Sequence, residues 1–451
     1  MNYEESVRTL LSLGRELASP QHAHVQKFGL GNISTLAAAL GNPHRAAPCV
    51  HIAGTNGKGS TAAMLESILR VSGMRTGLYT SPHLVRINER IRIGGEDISD
   101  DEFAEAWTRV QATIESLLAS GKLPAHPTYF ECITAIGFVA FAERRVDFVV
   151  YETGLGGRLD ATNIVQPEVA VITSIDFDHE DYLGHSIEEI ATEKAGIIKA
   201  GSPVVISAAR PEARAVIARR CQELKVKLVE IDQEWRLENV TSDEGCYRAT
   251  AASTESGNQL TIETPLAGRF QIRNALAAAT TAQLLAQRGF SIRVEAIESG
   301  IRCVKWPGRL ERLQDGPDVY IDGTHNPAGA RELLNFWNDN FSGRRILLVY
   351  GAMRDKAVDE IAGLIFPRAD LVVLTEPHQP RAISAPLLAE MTAHLARTSM
   401  IVSDPVAALE RAIGLAGPND AVFATGSLYL VGDLRAYWGK RPARLTMKNE
   451  T

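Results

Sequence analysis

The segment Gly54-Thr55-Asn56-Gly57-Lys58-Gly59-Ser60 follows the apolar run Val50–Ala53 and precedes a helical pattern with Met64, Leu65, Ile68 and Leu69 on one face. A glycine-rich turn between strand and helix lets successive backbone N–H groups point inward. The helix N-terminus adds partial positive charge and the lysine caps the distal phosphates of a nucleotide. The spacing departs from G-x-x-x-x-G-K-[ST], because Gly54 stands three residues before Gly57 and Gly59 separates Lys58 from Ser60.

Two further segments carry titratable groups at the ends of apolar runs. Glu152 closes Val146-Asp-Phe-Val-Val-Tyr151 and leads into Thr153-Gly-Leu-Gly-Gly-Arg-Leu-Asp160; Val169–Thr173 leads into Ser174-Ile-Asp176-Phe-Asp178-His179. A carboxylate at the carboxyl end of a strand beside a phosphate loop is placed to hold a nucleotide's Mg²⁺. Three loops after three parallel strands open on one sheet edge, where α/β ligands bind.

Lys194 has a different signature. Ser186-Ile-Glu-Glu189 reads as a capping box opening a helix, and Ile187, Ile190, Lys194 and Ile198 fall on one stripe. A lysine on a core-facing stripe must be paired, snorkel to solvent, or lose its proton. A neutral lysine can react with CO₂ to give a carbamate, which acts as a carboxylate on a long stem. Spacing alone leaves these readings open.

The elements that must position these groups follow an α/β rhythm of short β-branched runs alternating with helical periodicity. Residues 228–262 are polar and turn-rich, as in hairpins on a domain rim, and Ala275–Ala286 returns as an alanine-rich helix. The rhythm pauses at Trp306-Pro307-Gly308. It then resumes with strand candidates Val319–Ile321, Ile346–Tyr350, Leu371–Leu374, Met400–Val402 and Ala421–Ala424. The expected fold is α/β: a P-loop-type ATPase domain with a small β-rich addition over residues 1–303, a linker at 304–308, and a smaller doubly wound, Rossmann-like domain over 309–451.

Composition narrows the classes. With 47 Lys+Arg against 54 Asp+Glu, a net charge of −7 argues against a bulk nucleic-acid or polybasic membrane binder. No uncharged apolar stretch is long enough to span a bilayer, and the charged first residues lack a signal-peptide core. Five cysteines, at 49, 132, 221, 246 and 303, form no C-x-x-C pair, so a disulfide framework and a thiolate metal site are not expected; a reducing cytoplasm is.

Taken with Tyr79-Thr-Ser81-Pro-His-Leu84, Glu152–Asn163, Glu193-Lys194-Ala-Gly-Ile197, Leu266–Asn274, Pro307-Gly-Arg309, Asp322-Gly-Thr-His325-Asn-Pro327 and Thr425-Gly-Ser427, the phosphate loop resembles the folylpolyglutamate synthase/dihydrofolate synthase family of the Mur ligase superfamily. The resemblance runs in order along nearly the whole chain. It implies ATP-dependent amide formation between a pteroate or folate carboxylate and L-glutamate, through an acyl phosphate. It implies ATP contacts from Gly54–Ser60, Asn274, Arg309 and Asp322, and catalytic roles for Lys58, Glu152, His179 and Lys194. Ser60, Ser81, Glu152, His179 and a carbamylated Lys194 would serve two Mg²⁺ ions, with a monovalent cation such as K⁺ a further candidate. Thr128 and Asp160 would lie toward the pterin, and His325 and Ser427 toward the incoming glutamate. The partners implied are small molecules, with no nucleic acid and no membrane, and the enzyme would be a monomer.

Two stretches depart from the family pattern: Lys27-Phe-Gly-Leu30-Gly31-Asn32-Ile33, which would line the pterin pocket, and Asp355-Lys356, where Ala357 replaces an acidic residue. A cell-wall Mur ligase carries a nucleotide-sugar domain ahead of its phosphate loop, for which 53 residues are too few. A P-loop kinase or GTPase switch lacks support, since no Asn-Lys-x-Asp motif occurs.

Overall fold

The computed structural model describes residues 1–14, 29–207, 210–255 and 257–441. The chain divides into two units, Met1–Trp306 and Pro307–Thr451.

In the first unit, β1 (Cys49–Ala53), β2 (Thr76–Tyr79), β3 (Ile91–Ile93), β4 (Glu96–Asp97), β5 (Phe148–Glu152), β6 (Val169–Ile172), β7 (Val204–Ile206) and β8 (Leu228–Glu230) form one sheet in the order β4-β3-β2-β5-β1-β6-β7-β8. The pairs from β2 through β8 are parallel; β3 and β4 complete one edge antiparallel. Every residue of β1, β5 and β6 is buried, as expected for strands covered on both faces. On one side Val50, Ile52, Val150 and Val171 pack with Met64, Leu65 and Ile68 of the helix Lys58–Val71 and with the helix Phe270–Gln287. On the other side lie the helices Asp100–Ala119 and Tyr129–Glu143, and, around Ile187, Ile190 and Ile217, the helices Ile187–Ala195 and Pro211–Leu224. The chain leaves β1 toward β2 and leaves β6 toward β7, on opposite sides. Adjacent strands with divergent exits open the crevice where α/β folds bind ligands.

The polar 228–262 stretch becomes the short β8 and an antiparallel meander of β9 (Trp235–Asp243), β10 (Cys246–Ser253) and β11 (Gln259–Ala267), which is the expected β-rich addition. Val304 is buried, and Trp306 is half-buried against the first unit's core. The segment expected as a linker is thus packed up to the boundary at Trp306.

The second unit has a six-stranded sheet. Its strands β12 (Glu311–Gln314), β13 (Asp318–Ile321), β14 (Ile346–Tyr350), β15 (Leu371–Leu374), β16 (Ser399–Ile401) and β17 (Ala421–Thr425) follow the order β12-β13-β17-β14-β15-β16. All pairs are parallel except β12 with β13, which gives the doubly wound form.

Of the two departures from the family pattern, Lys27 and Phe28 lie outside the described residues, while Gly31 and Asn32 open the helix Gly31–Ala39. Ala357 caps the helix Val358–Ile365, and the Asp355 before it pairs with Arg381 at 3.4 Å.

Candidate active site

The phosphate loop is shaped by two glycines that no other residue could replace without rearrangement. Gly57 has φ +87°, and a Cβ there would stand 2.5 Å from Asn274 Oδ1; Gly54 has φ +154°, and a Cβ would overlap the Thr173 hydroxyl. The loop after β6 braces this turn. Thr173 Oγ1 donates to the Asn56 carbonyl at 2.7 Å, and Thr55 N donates to Ser174 O at 2.6 Å. Thr55 Oγ1 donates to Asp176 O at 3.0 Å and accepts from Asp176 N at 3.1 Å. Gly59 sits in the first turn of the following helix, where a Cβ would come 2.9 Å from the Trp306 ring.

Lys58 Nζ donates to the carbonyls of Gly54 at 3.0 Å and Thr55 at 3.1 Å. Lys194 Nζ also donates to the Gly54 carbonyl, at 2.8 Å. The capping box holds: Glu189 N donates to Ser186 Oγ at 3.2 Å, and Ser186 N to Glu189 Oε2 at 3.1 Å. The apolar stripe is buried, and Lys194 within it is only 3 % exposed. Burial first, and then the like charge of Lys58, push its pKa down to about 7, against the pull of Asp178 and Asp160. The core-facing lysine is therefore neither a snorkelling chain nor an ion pair with Glu193, whose carboxylate is held by Arg158 at 2.8 Å.

Ser60, also buried, accepts from Gln271 Nε2 at 3.4 Å; Gln271 Oε1 in turn accepts from Asn274 Nδ2 at 2.8 Å. Gln271 is a site residue that the sequence reading missed; its i, i+3 spacing to Asn274 on an alanine-rich helix was the available signal. Glu152 is buried at the end of β5, and its Oε2 accepts from Ser81 N at 3.2 Å, which joins the β2 and β5 loops. His179 stands at φ +52°, with Nε2 3.8 Å from Asp178 Oδ1.

Two predicted substrate residues are engaged locally. Asp160 accepts four hydrogen bonds inside its own loop. Oδ2 takes the Gly154 and Leu155 amides at 2.8 and 3.0 Å, and Oδ1 takes the Thr162 amide and hydroxyl at 3.0 and 2.5 Å. Thr128 caps the helix Tyr129–Glu143, exchanging hydrogen bonds with Glu131.

The four predicted residues of the second unit gather at the carboxyl ends of its adjacent strands β13 and β17. Asp322 is buried, with Oδ2 accepting from Leu310 N at 2.9 Å and Oδ1 from Thr324 N at 3.0 Å. Arg309 donates to Gly308 O at 3.1 Å, and His325 Nδ1 donates to Gly323 O at 2.7 Å. Ser427 caps the helix Leu428–Trp438 by accepting from Tyr429 N at 3.1 Å.

A phosphate-loop domain followed by a Rossmann-like domain defines the class. Residues 52–282 match the Mur ligase middle domain, and residues 308–428 match the Mur ligase glutamate ligase domain. Within that class the chain belongs to the folylpolyglutamate synthase/dihydrofolate synthase family. It is 37 % identical over 413 residues to the dihydrofolate synthase/folylpolyglutamate synthase of Bacillus subtilis, covering 91 % of this chain and 94 % of the relative. It is 35 % identical to the folylpolyglutamate synthase of Lacticaseibacillus casei, covering 96 % of this chain and 98 % of the relative. The crystal structure of Mycobacterium tuberculosis folylpolyglutamate synthase complexed with ADP and AMPPCP matches with a TM-score of 0.86 at 32 % identity, over 97 % of this chain and 100 % of that one. An Escherichia coli structure in complex with DHPP and ADP matches with a TM-score of 0.84 at 30 % identity, over 97 % of each chain. Among the described residues, no helix is long and apolar enough to cross a membrane.

Proposed function

We propose that this chain is an ATP-dependent ligase that joins the amino group of L-glutamate to the carboxylate of a pteroate- or folate-type acceptor. The observation that carries the reading is the meeting of Lys58, from a phosphate loop, and the buried Lys194 at one carbonyl beside Glu152's strand end. A carboxylate is a poor acyl donor because oxide would have to leave. Transfer of the terminal phosphoryl group of ATP to the acceptor carboxylate gives an acyl phosphate and ADP. The glutamate amine then attacks the acyl carbon, and phosphate leaves as the amide forms.

The chain's own groups bind and orient. Lys58 and the loop amides receive the phosphates, Lys58 exchanging two backbone carbonyls for phosphate oxygens. Asn274, fixed against Gly57, and Arg309 and Asp322 contact the nucleotide. The loop closed by Asp160, with Thr128, faces the acceptor, and His325 and Ser427 face glutamate.

The donor set fits magnesium. Glu152 and the hydroxyls of Ser60 and Ser81 are hard oxygen donors. Among the described residues no group of three His, Cys, Asp or Glu side chains is placed to cage a metal. Magnesium needs only one or two carboxylates alongside phosphate oxygens and water. Glu152, Ser60, Ser81, His179 and Lys194 would hold it, and it would neutralise phosphate charge. Lys194 would join this set as a carbamate: its neutral amine adds to CO₂, losing one proton and keeping one N–H for the Gly54 carbonyl. Five free cysteines accord with a reducing cytoplasm, and a monomer suffices for the reaction.

The test is a mass-spectrometric assay with ATP, Mg²⁺ and L-glutamate, offering dihydropteroate or tetrahydrofolate. Glutamylated product from both defines a bifunctional synthase, and product from tetrahydrofolate alone a polyglutamylating enzyme. ADP release with no glutamylated product would overturn the acceptor class.

A further inference from the structure

His51 lies in the middle of β1, three residues before the phosphate loop, paired with Tyr151 of β5 and Ala170 of β6, and is 0 % exposed. A fully buried histidine in a central strand is costly unless its polar atoms are used. One is: Nε2 lies 2.8 Å from Thr162 Oγ1, whereas Nδ1 is buried without a hydrogen-bond partner.

The direction of each hydrogen bond follows from the acceptor at the end of the path. Asp160 takes two amides on Oδ2 and the Thr162 amide and hydroxyl on Oδ1, the acceptor pattern of an ionised carboxylate. The Thr162 proton therefore points at Asp160. The Thr162 oxygen must accept from His51, so His51 is the neutral Nε2–H tautomer.

The loop so fixed is itself clasped to the turn that carries Lys194. Arg158 N donates to Glu193 O at 2.8 Å, and Asn163 Nδ2 donates to Arg158 O at 3.0 Å and Gly196 O at 3.1 Å. Gly157 lies so close that a Cβ there would meet the carbonyls of Glu193 and Lys194 at 3.0 Å. Glu152 begins this loop and Lys194 stands at its far wall.

We propose that His51 is a positioning residue of the active site: through Thr162 and Asp160 it fixes the Thr153–Asn163 loop, and with it the spacing of Glu152 and Lys194. Its role rests on the ligase reading above. Its hydrogen-bond path does not. The path explains the choice of histidine at a position where a strand core would otherwise take an aliphatic residue, because an N–H donor here engages the threonine oxygen and leaves its proton for the anion.

The test combines His51→Phe, Thr162→Val, their double variant, and the donor- or hydroxyl-preserving His51→Gln and Thr162→Ser. Groups that orient the residues at a reactive centre are worth about 10–100-fold in activity, so His51→Phe and Thr162→Val are each expected to lose about that in kcat. KM for ATP should stay within about twofold, because the phosphate loop is not part of the path. The double variant should lose no more than either single one, and the two conservative variants should recover most of the rate. A rate unchanged in both single variants, or losses that multiply in the double variant, would overturn the proposal.

Two readouts are independent of activity. The imidazole nitrogen spectrum of the full-length protein should show the Nε2–H tautomer unchanged between about pH 5 and about pH 9. Amide exchange at Gly154 and Leu155 should be protected in the wild type and at least about tenfold faster in Thr162→Val, should His51→Phe fail to fold. An Nδ1–H tautomer, or equal protection in both proteins, sinks the path even if the chain ligates glutamate. Ligation that fails in the wild type while these two signatures hold would place the fault in the functional reading.

Discussion

Lys58 and Lys194 donate to the same acceptor, the carbonyl oxygen of Gly54, at 3.0 and 2.8 Å. Two ammonium groups on one oxygen repel, and at the fully buried Lys194 desolvation adds to the Lys58 charge and drives it toward the neutral form. The phosphate loop thus favours the neutral amine at Lys194, the form that the proposed carbamate requires.

A pH dependence follows. The reactive form of Lys194 is the amine, so activity should climb as pH rises through about 7 and should climb further on adding bicarbonate. The folded protein holds fewer protons on this group than the unfolded chain between about 7 and 10.5, so in CO₂-free buffer stability should also rise with pH across that window. Lys194→Met should flatten that slope in thermal melts; an unchanged slope would assign it to another group.

Lys194→Ala should abolish most turnover while leaving ATP binding measurable by calorimetry, since the phosphate loop stays intact. Short-chain carboxylates should restore part of the rate by occupying the vacated space. Full activity in the unrescued variant would remove the carbamate from the mechanism.

Glu152→Gln keeps the acceptor for the Ser81 amide but loses the charge. Its Mg²⁺ titration should shift to higher concentration as turnover falls, by about 10–100-fold. An unshifted titration would take Glu152 out of the metal site.

Gly57→Ala and Gly59→Ala separate backbone conformation from packing. At Gly57 the left-handed backbone adds about 1–2 kcal/mol of strain, and the new methyl displaces Asn274, so ATP affinity should fall by at least about tenfold. Gly59 carries no such backbone strain, and its methyl would press first on the Trp306 ring, at 2.9 Å. A smaller affinity loss with a changed tryptophan emission is expected there; equal losses would show that packing dominates both.

The sequence was most informative where chemistry and periodicity coincided. The phosphate loop, the strand-end Glu152 and the Lys194 stripe were legible because each residue type is costly at its position unless used. The strands β2 and β8 leave little trace, because Thr76-Gly-Leu-Tyr79 and Leu228-Val-Glu230 are short runs interrupted by a glycine or ended by a carboxylate, and they become strands by pairing with their neighbours. The resemblance sets Asp160 toward the pterin. That it closes the loop on its own amides depends on backbone turns that spacing does not encode. Gln271 escaped for the same reason, its partner Ser60 lying 211 positions away along the chain.

Trp306 backs Gly59 with one edge of its indole, carries the Arg92 guanidinium 5.1 Å from its ring centre, and is the last residue of its unit. The nucleotide loop therefore leans on an aromatic ring of its own unit. A shift of the first helical turn as ATP docks would change the packing around that ring, which makes this indole a natural optical gauge of nucleotide occupancy.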